Sequence, residues 1–408
     1  MLSKFGNRKI AKIMKNIIGV PAVKENFFPR DREVEKIYRS LENGNNIYLS
    51  APRRVGKSSI MNFLKDNPRK GFQFVLGNYE SCRTADEFFG KLISEIYKSP
   101  DILNRAKRLT KKAKEVFDRF ASLNFEGLGV KLEANAKKEV DLRQTLTDLL
   151  EALKSDGTKL VIMIDEFPEV IINIHEHQSQ AEAANFLHQH RQLRQEICTD
   201  QRVSFIYTGS VSMHHIVAKV ADPKTINDFD IVTVDPLSQK EAKQMAELLL
   251  GEHGIKLRPA QVNELIDGIH WYIPYHIQLL IKEILKLHHD EPDTESQNWV
   301  SKAFESLLGK HNKPQFDHYF NRLPKIYHDG EREFVMKALQ AAAGEVAPNY
   351  SQLADIANLC GCLTRCAEIL EALEVDGYIV ENHPANNYIF RSPILQAWWN
   401  RHERKKYQ

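Results

Sequence analysis

Nine consecutive residues, Ala51, Pro52, Arg53, Arg54, Val55, Gly56, Lys57, Ser58 and Ser59, constrain the fold more than any other stretch of the chain. They nearly spell G-x-x-x-x-G-K-[ST]. Such a loop works only between a buried strand and the N-terminus of a helix, where successive backbone N–H groups wrap an anionic phosphate. The flanks supply both. Ile47, Tyr48 and Leu49 read as a short buried strand, and the run from Ser59 to Lys65 reads as a helix with apolar Ile60, Met61 and Leu64, stopped by Pro68. In that frame Pro52 to Ser59 are candidate phosphate-binding residues, with Lys57 reaching the β and γ oxygens and Ser58 offering a hydroxyl to Mg²⁺. Ala51 stands where the motif has glycine, so it must sit at negative φ with room for one methyl group.

A second chemical motif lies about a hundred residues on. Lys159 to Ile164 is an apolar strand that ends in Asp165 and Glu166. A carboxylate at the end of a buried strand beside a phosphate loop can hold Mg²⁺ through water, and the next acid can polarise an attacking water. Asp165 is therefore the candidate metal partner and Glu166 the candidate base, with Lys57 beside it in the catalytic set. Val203 to Tyr207 forms another buried strand ending in Thr208, Gly209 and Ser210. Strand ends converge on the ligand in a parallel sheet, so Thr208 or Ser210 is placed to sense a γ-phosphate or orient water.

Between and after these motifs, strands and helices alternate, which argues a parallel sheet. Phe72 to Leu76 and Ile231 to Val234 are further strands. Thr84 with Glu87, and Ser238 with Glu241, read as capping boxes opening helices. From there to about residue 325 only helices are expected, including Pro259 to Ile269 and Tyr275 to His288, with Trp271 to Pro274 as the break between them.

At 408 residues the chain is too long for one simple core, so two or three domains are expected. A net charge of +2 implies neither nucleic acid nor membrane by itself, so local charge is more telling. The first fifteen residues carry Lys4, Arg8, Lys9, Lys12 and Lys15 with no acid, and a basic terminus fraying into solvent is preferred over a membrane or nucleic-acid arm. Residues 101–138 carry ten Lys/Arg against five acids and look like a helix and hairpin insertion, suited either to a polyanion or to plain solvation. No apolar signal region follows the basic start and no run is long enough to span a bilayer, which points to the cytoplasm. Five cysteines suggest reduced thiols. Cys360, Cys362 and Cys366 lack the spacing of a zinc pair and read as structural.

The ordered set resembles the archaeal-type ATPases, within the STAND branch of the AAA+-like P-loop ATPases. The matching pieces are Phe28, Pro29, Arg30 and Asp31 with Glu33, then APRRVGKSS, IMIDEFPEVI, YTGS and the helical break ending at Pro274, across residues 20 to 300. The resemblance implies an adenine-side box at Phe28, Pro29 and Arg30, binding of ATP with Mg²⁺, and a Pro274 loop through which a helical lid feels the nucleotide. Here the usual Gly-x-Pro is Tyr272, Ile273 and Pro274. Arg191 and Arg194 are candidates for an arginine finger, surface solvation being their alternative role.

The expected fold class is thus an α/β P-loop NTPase with a central parallel sheet, followed by a helical lid and a C-terminal winged helix. The expected domains are a basic arm (1–19), the ATPase domain (20–237), the lid (238–325) and the winged-helix-like module with its basic tail (326–408). In that module Glu331 to Ala343, Tyr350 to Ala357 and Leu363 to Asp376 are helices, and Tyr378 to Glu381 with Asn387 to Phe390 form a hairpin. The third helix carries Arg365 against Glu368, Glu371, Glu374 and Asp376, which opposes a phosphate-lined groove. A regulatory ATPase that works through a protein partner or its own oligomer is therefore expected ahead of a DNA-remodelling or loader ATPase, which the basic tail from Arg401 to Lys406 keeps open. A nucleotide-holding scaffold in a defence or toxin pathway is the third reading.

Overall fold

The computed structural model describes residues 14–106, 141–154, 157–290 and 298–404. Most of the basic arm, all but the first six residues of the 101–138 stretch, and Lys405 and Lys406 lie outside them. The chain divides into two compact units, one formed by Arg30–Ser50 with Lys57–Val234, the other by Met1–Pro29, Ala51–Gly56 and Asp235–Gln408.

The first unit is built on a sheet of five described strands, β1 (Asn46–Ser50), β2 (Phe72–Asn78), β3 (Lys159–Asp165), β4 (Val203–Thr208) and β5 (Phe229–Thr233). Their order is β2-β3-β4-β1-β5 and every pairing is parallel. Every residue of β4, and all but the first of β3, is buried, as expected of parallel strands covered on both faces. This is why Leu160 to Ile164 of β3 is an unbroken apolar run, and β4 is interrupted only by Ser204 before its terminal Thr208. The register sets Leu49 beside Thr208 and Asn78 beside Asp165, so the carboxyl ends of the strands share one edge of the sheet.

Helices connect the strands: α1 (Asp31–Glu42), α2 (Lys57–Asp66), α3 (Ala85–Lys98), α4 (Pro100–Ala106), α5 (Leu142–Leu153), α6 (Phe167–His177), α7 (Gln180–Ile197) and α8 (Met213–Val220). The expected face of α2 is the buried one, with Ile60, Met61 and Leu64 fully covered. At α3 the cap is only half of the expected box. Thr84 accepts from the Glu87 N–H at 3.0 Å, but the Glu87 carboxylate accepts from the Arg83 N–H at 2.7 Å, one residue before the cap. An aromatic cluster fills the space between helices and sheet. Phe88 packs against Tyr79 and Phe186, both at 5.0 Å between ring centroids, and against Phe167 at 5.9 Å. His190 and Tyr207 complete it, joined by a 2.9 Å hydrogen bond between the Tyr207 hydroxyl and Nε2. Burial holds the His190 ring well below the usual histidine range, so it packs as a neutral ring.

Among its described residues the second unit has helices and one hairpin as its regular structure. It comprises α9 (Gln239–Gly251), α10 (Pro259–Ile269), α11 (Pro274–Asp290), α12 (Trp299–Leu307), α13 (Lys313–Phe320), α14 (Leu323–Ile326), α15 (Asp329–Ala342), α16 (Tyr350–Leu359), α17 (Cys366–Val375), the antiparallel strands β6 (Ile379–Asn382) and β7 (Asn387–Phe390), and α18 (Pro393–Trp398). Ser238 and Glu241 make the reciprocal capping bonds expected of them. Pro274 is the first residue of α11, where its missing N–H costs nothing. The start of the described chain is tied down: Asn16 donates to the Gln278 carbonyl at 3.0 Å and Gln278 donates back to the Ile17 carbonyl at 2.9 Å. Asn16 and Ile17 are thereby anchored to α11, while residues 1–13, where most of the expected fraying falls, lie outside the described residues.

Candidate functional site

The chemistry-bearing residues of the first unit gather where α2 begins and β3 and β4 end. Lys57 and Ser58 open α2, with Lys57 only 8% exposed. Asp165, also 8% exposed, closes β3. Its two oxygens are separately held: Oδ2 accepts from the Ser58 hydroxyl at 2.8 Å and Oδ1 from the Thr208 hydroxyl at 2.9 Å. Burial first, and then the neighbouring Glu166 carboxylate, push the Asp165 pKa up. The two hydroxyl bonds and the Lys57 ammonium oppose that rise. A buried carboxylate with a second acid beside it gains from a nearby cation. A hydroxyl and a carboxylate are the hard oxygen donors that suit Mg²⁺, so these residues fit that ion.

Glu166 follows at the turn from β3 into α6. Its backbone is left-handed, with φ 60° and ψ 40°, and it is the N-cap residue of α6. For a residue with a long side chain this costs on the order of 1 kcal/mol, and such strain gathers at functional sites. Its Oε2 accepts the Ser210 N–H at 3.0 Å. Gly209, between Thr208 and Ser210, lies against the ring of Pro168 in the first turn of α6. A Cβ added at Gly209 would fall 2.4 Å from the Pro168 Cδ, so only glycine lets the end of β4 approach α6 closely enough for that bond.

Arg30 forms a buried ion pair with Glu33, at 3.2 Å and 3.3 Å through two nitrogens. Arg191 is half-buried. Arg194 is neither exposed nor solvated. It is 2% exposed, grips Asp228 through Nε at 2.7 Å and Nη2 at 2.8 Å, and donates to the Thr225 carbonyl at 2.7 Å. Its guanidinium also lies 4.6 Å from the Phe229 ring centroid. Surface solvation is excluded for it, and its fork is committed to the fold.

In the second unit, Phe28 is buried and Pro29 half-buried. The loop residues Ala51–Gly56 belong here by their packing. Ala51 keeps a negative φ, as the methyl group requires, while Arg54 and Gly56 are left-handed, with φ 66° and 111°. Arg53 donates from Nη1 to the His318 carbonyl at 2.8 Å, Arg54 donates from Nε to His318 Nε2 at 3.3 Å, and the Arg54 guanidinium lies 4.6 Å above the Tyr275 ring. Neither Tyr275 nor His318 was a candidate by sequence. Tyr275 had one signal, its place directly after Pro274; His318 had none.

The third helix of the C-terminal module differs from expectation in one respect. Asp376 is turned inward and pairs with Arg322 at 3.0 Å, both buried. Arg365 is shared between Glu331 and Glu368. Among the described residues no group of three or more His, Cys, Asp or Glu could hold a metal ion, and no helix is long and apolar enough to cross a membrane.

Known structures resemble this one across nearly its whole length. The Walker-type ATPase of Pyrococcus abyssi superposes with a TM-score of 0.60 at 18% identity, covering 94% of this chain and 99% of its own. The ORC2 protein of Aeropyrum pernix, in its ADPNP-ADP complexes, superposes with a TM-score of 0.52 at 15% identity, covering 94% and 98%. At these identities the likeness concerns the fold. None of the curated proteins matches the sequence. The model of the ATPase domain predominantly from Archaea matches residues 27–280, more than half of the chain. The sheet, its strand-end carboxylates and this match agree: the chain belongs to that archaeal-type ATPase family and is a P-loop ATPase.

Proposed function

We propose that the chain is a STAND-like regulatory ATPase, which uses ATP binding and hydrolysis to rearrange its C-terminal elements and so control a protein partner or its own assembly. The observation that carries the active-site part is the Asp165 carboxylate held between the Ser58 and Thr208 hydroxyls. Lys57 neutralises the β- and γ-phosphate oxygens. Ser58 and Asp165 hold Mg²⁺, which when bound draws charge from the phosphate oxygens. Glu166 takes the proton from water as its oxygen bonds to the γ-phosphorus and the bond to the β–γ bridging oxygen breaks. The Ser210 N–H anchors one Glu166 oxygen, leaving the other to face the water. Phe28, Pro29 and Arg30 form the adenine-side box and Pro274 the hinge that reads the nucleotide.

The domain division at 237 and 325 belongs to this proposal, as does the winged-helix reading of the last module. That reading is supported by the order of three helices and a hairpin from α15 to β7. With Asp376 inward, the surface of α17 still carries Glu368, Glu371 and Glu374 against a single Arg365 already shared with Glu331. This favours a protein surface over duplex DNA.

Lys57→Ala is expected to abolish ATP binding, raising Kd by about 100-fold or more through loss of charge-assisted bonds to phosphate. Equilibrium titration with a fluorescent ATP analogue checks it, and wild-type affinity in the variant would remove Lys57 from the site. Specific ATPase activity measured across protein concentration tests the assembly part. A rise with concentration supports a finger supplied by a neighbouring copy, and a salt-sensitive shift of labelled duplex would favour the DNA reading instead.

A further inference from the structure

We propose that Tyr275 and His318 are positioning residues for the phosphate loop: by clasping Arg54 and Arg53 they hold the loop in its nucleotide-ready backbone conformation and tie nucleotide affinity to α13. This rests on the loop being the phosphate site.

Arg54 is the one described non-glycine residue of the loop with positive φ. An αL residue beside right-handed neighbours makes the concave row of N–H groups that receives an anion, but a residue with a Cβ leaves αL unless something outside the backbone retains it. Two side chains of the helical unit retain this one. Tyr275 offers its ring face to the guanidinium at 4.6 Å, and its own hydroxyl is fixed by the Gln315 side chain at 2.7 Å. His318 meets Tyr275 edge-on, at 5.7 Å and 81°, and accepts from Arg54 through Nε2. The acceptor role requires a neutral ring. Burial, with the Arg54 and Arg53 charges adding to it, drives the His318 pKa down to about 2, so the ring stays neutral at any working pH. Its buried Nδ1 has no hydrogen-bond partner among the described residues, so what fixes the ring is the bond to Arg54 and the aromatic packing. Arg53 adds the bond to the His318 carbonyl.

The clasp does not end at α13. The Tyr319 carbonyl, one residue on, accepts from the Tyr378 hydroxyl, and Arg322 pairs with Asp376 at 3.0 Å. Pro52 lies against Gly377, where an added Cβ would come within 2.9 Å of the proline Cβ. The loop, α13 and the entry to β6 thus form one contiguous set of contacts, and a shift of α13 pulls on the two loop arginines.

The test compares full-length wild type with His318→Leu and Tyr275→Leu, and with the conservative His318→Gln, which keeps an acceptor, and Tyr275→Phe, which keeps the ring. Hydrogen exchange of the amides of residues 53–57 is read without nucleotide, and Kd is read with mant-ADP. Both leucine variants should exchange roughly tenfold faster and bind mant-ADP roughly tenfold more weakly, while kcat at saturating ATP stays close to wild type. The Gln and Phe variants should recover both readouts. Unchanged exchange in the leucine variants, or faster exchange at wild-type Kd, overturns the proposal. Should a leucine variant fail to fold, Arg54→Lys, which keeps the charge but loses the fork, takes its place: faster exchange supports the clasp and unchanged exchange overturns it. Wild-type protein that binds no mant-ADP would sink the phosphate-site reading instead, and the nucleotide-free exchange would still test the clasp.

Discussion

Glu166→Gln is expected to lower steady-state turnover by roughly 10²- to 10⁴-fold, the usual contribution of a general base, while nucleotide affinity stays at the wild-type level. The substitution is nearly isosteric. A glutamine carbonyl oxygen can still receive the Ser210 N–H, so the turn between β3 and α6 keeps its cross-link, and the left-handed backbone at 166 is no more strained than before. What disappears is the ability to accept a proton. The split between an unchanged Kd for mant-ADP and a collapsed rate of phosphate release is the diagnostic, because damage to the fold would move both. Turnover at the wild-type rate would show that another group activates the water.

Phe88→Ala is expected to destabilise the sheet-containing unit by about 3–5 kcal/mol. Phe88 is fully buried and touches rings from β2's exit, α6 and α7, so its removal opens a void that several rigid neighbours line and none can fill alone. For a unit of this size the loss lowers Tm by roughly 10 °C. Denaturant titration and calorimetry both read it. A change below about 1 kcal/mol would mean that the surrounding rings collapse into the space, and that the cluster is more deformable than its geometry implies.

The parts of this molecule that were legible in sequence are those where one local rule decides the outcome. The inner strands β3 and β4 declared themselves because both faces are covered, so that every position from Leu160 to Ile164 is apolar. The phosphate loop declared itself because few residue types can make that turn. Strand order was not legible, since nothing in β1 states that its neighbours are β4 and β5. Side-chain partners distant in sequence were also hidden. Arg194 read as a candidate arginine finger or a solvated surface cation because its partner Asp228 comes only after β4 in the chain, and Asp376 looked like part of an acidic face because Arg322 sits several helices earlier. His318 was the hardest of all. A histidine on a short helix carries no pattern, and only the fold brings it to the loop arginines. Of the candidate site, Asp165 is hydrogen-bonded to Ser58 and Thr208 and Glu166 to Ser210, with Lys57 at the head of the same helix as Ser58.

The left-handed backbone at Glu166 sets the fold against its own chemistry. Glycine is the residue that this turn would accept most readily, and a chain selected for heat resistance alone would drift toward it. Such a chain would keep its sheet and its helix α6, and would lose the carboxylate proposed to activate water. If Glu166 has the proposed role, the strained turn marks a position where durability and turnover pull in opposite directions.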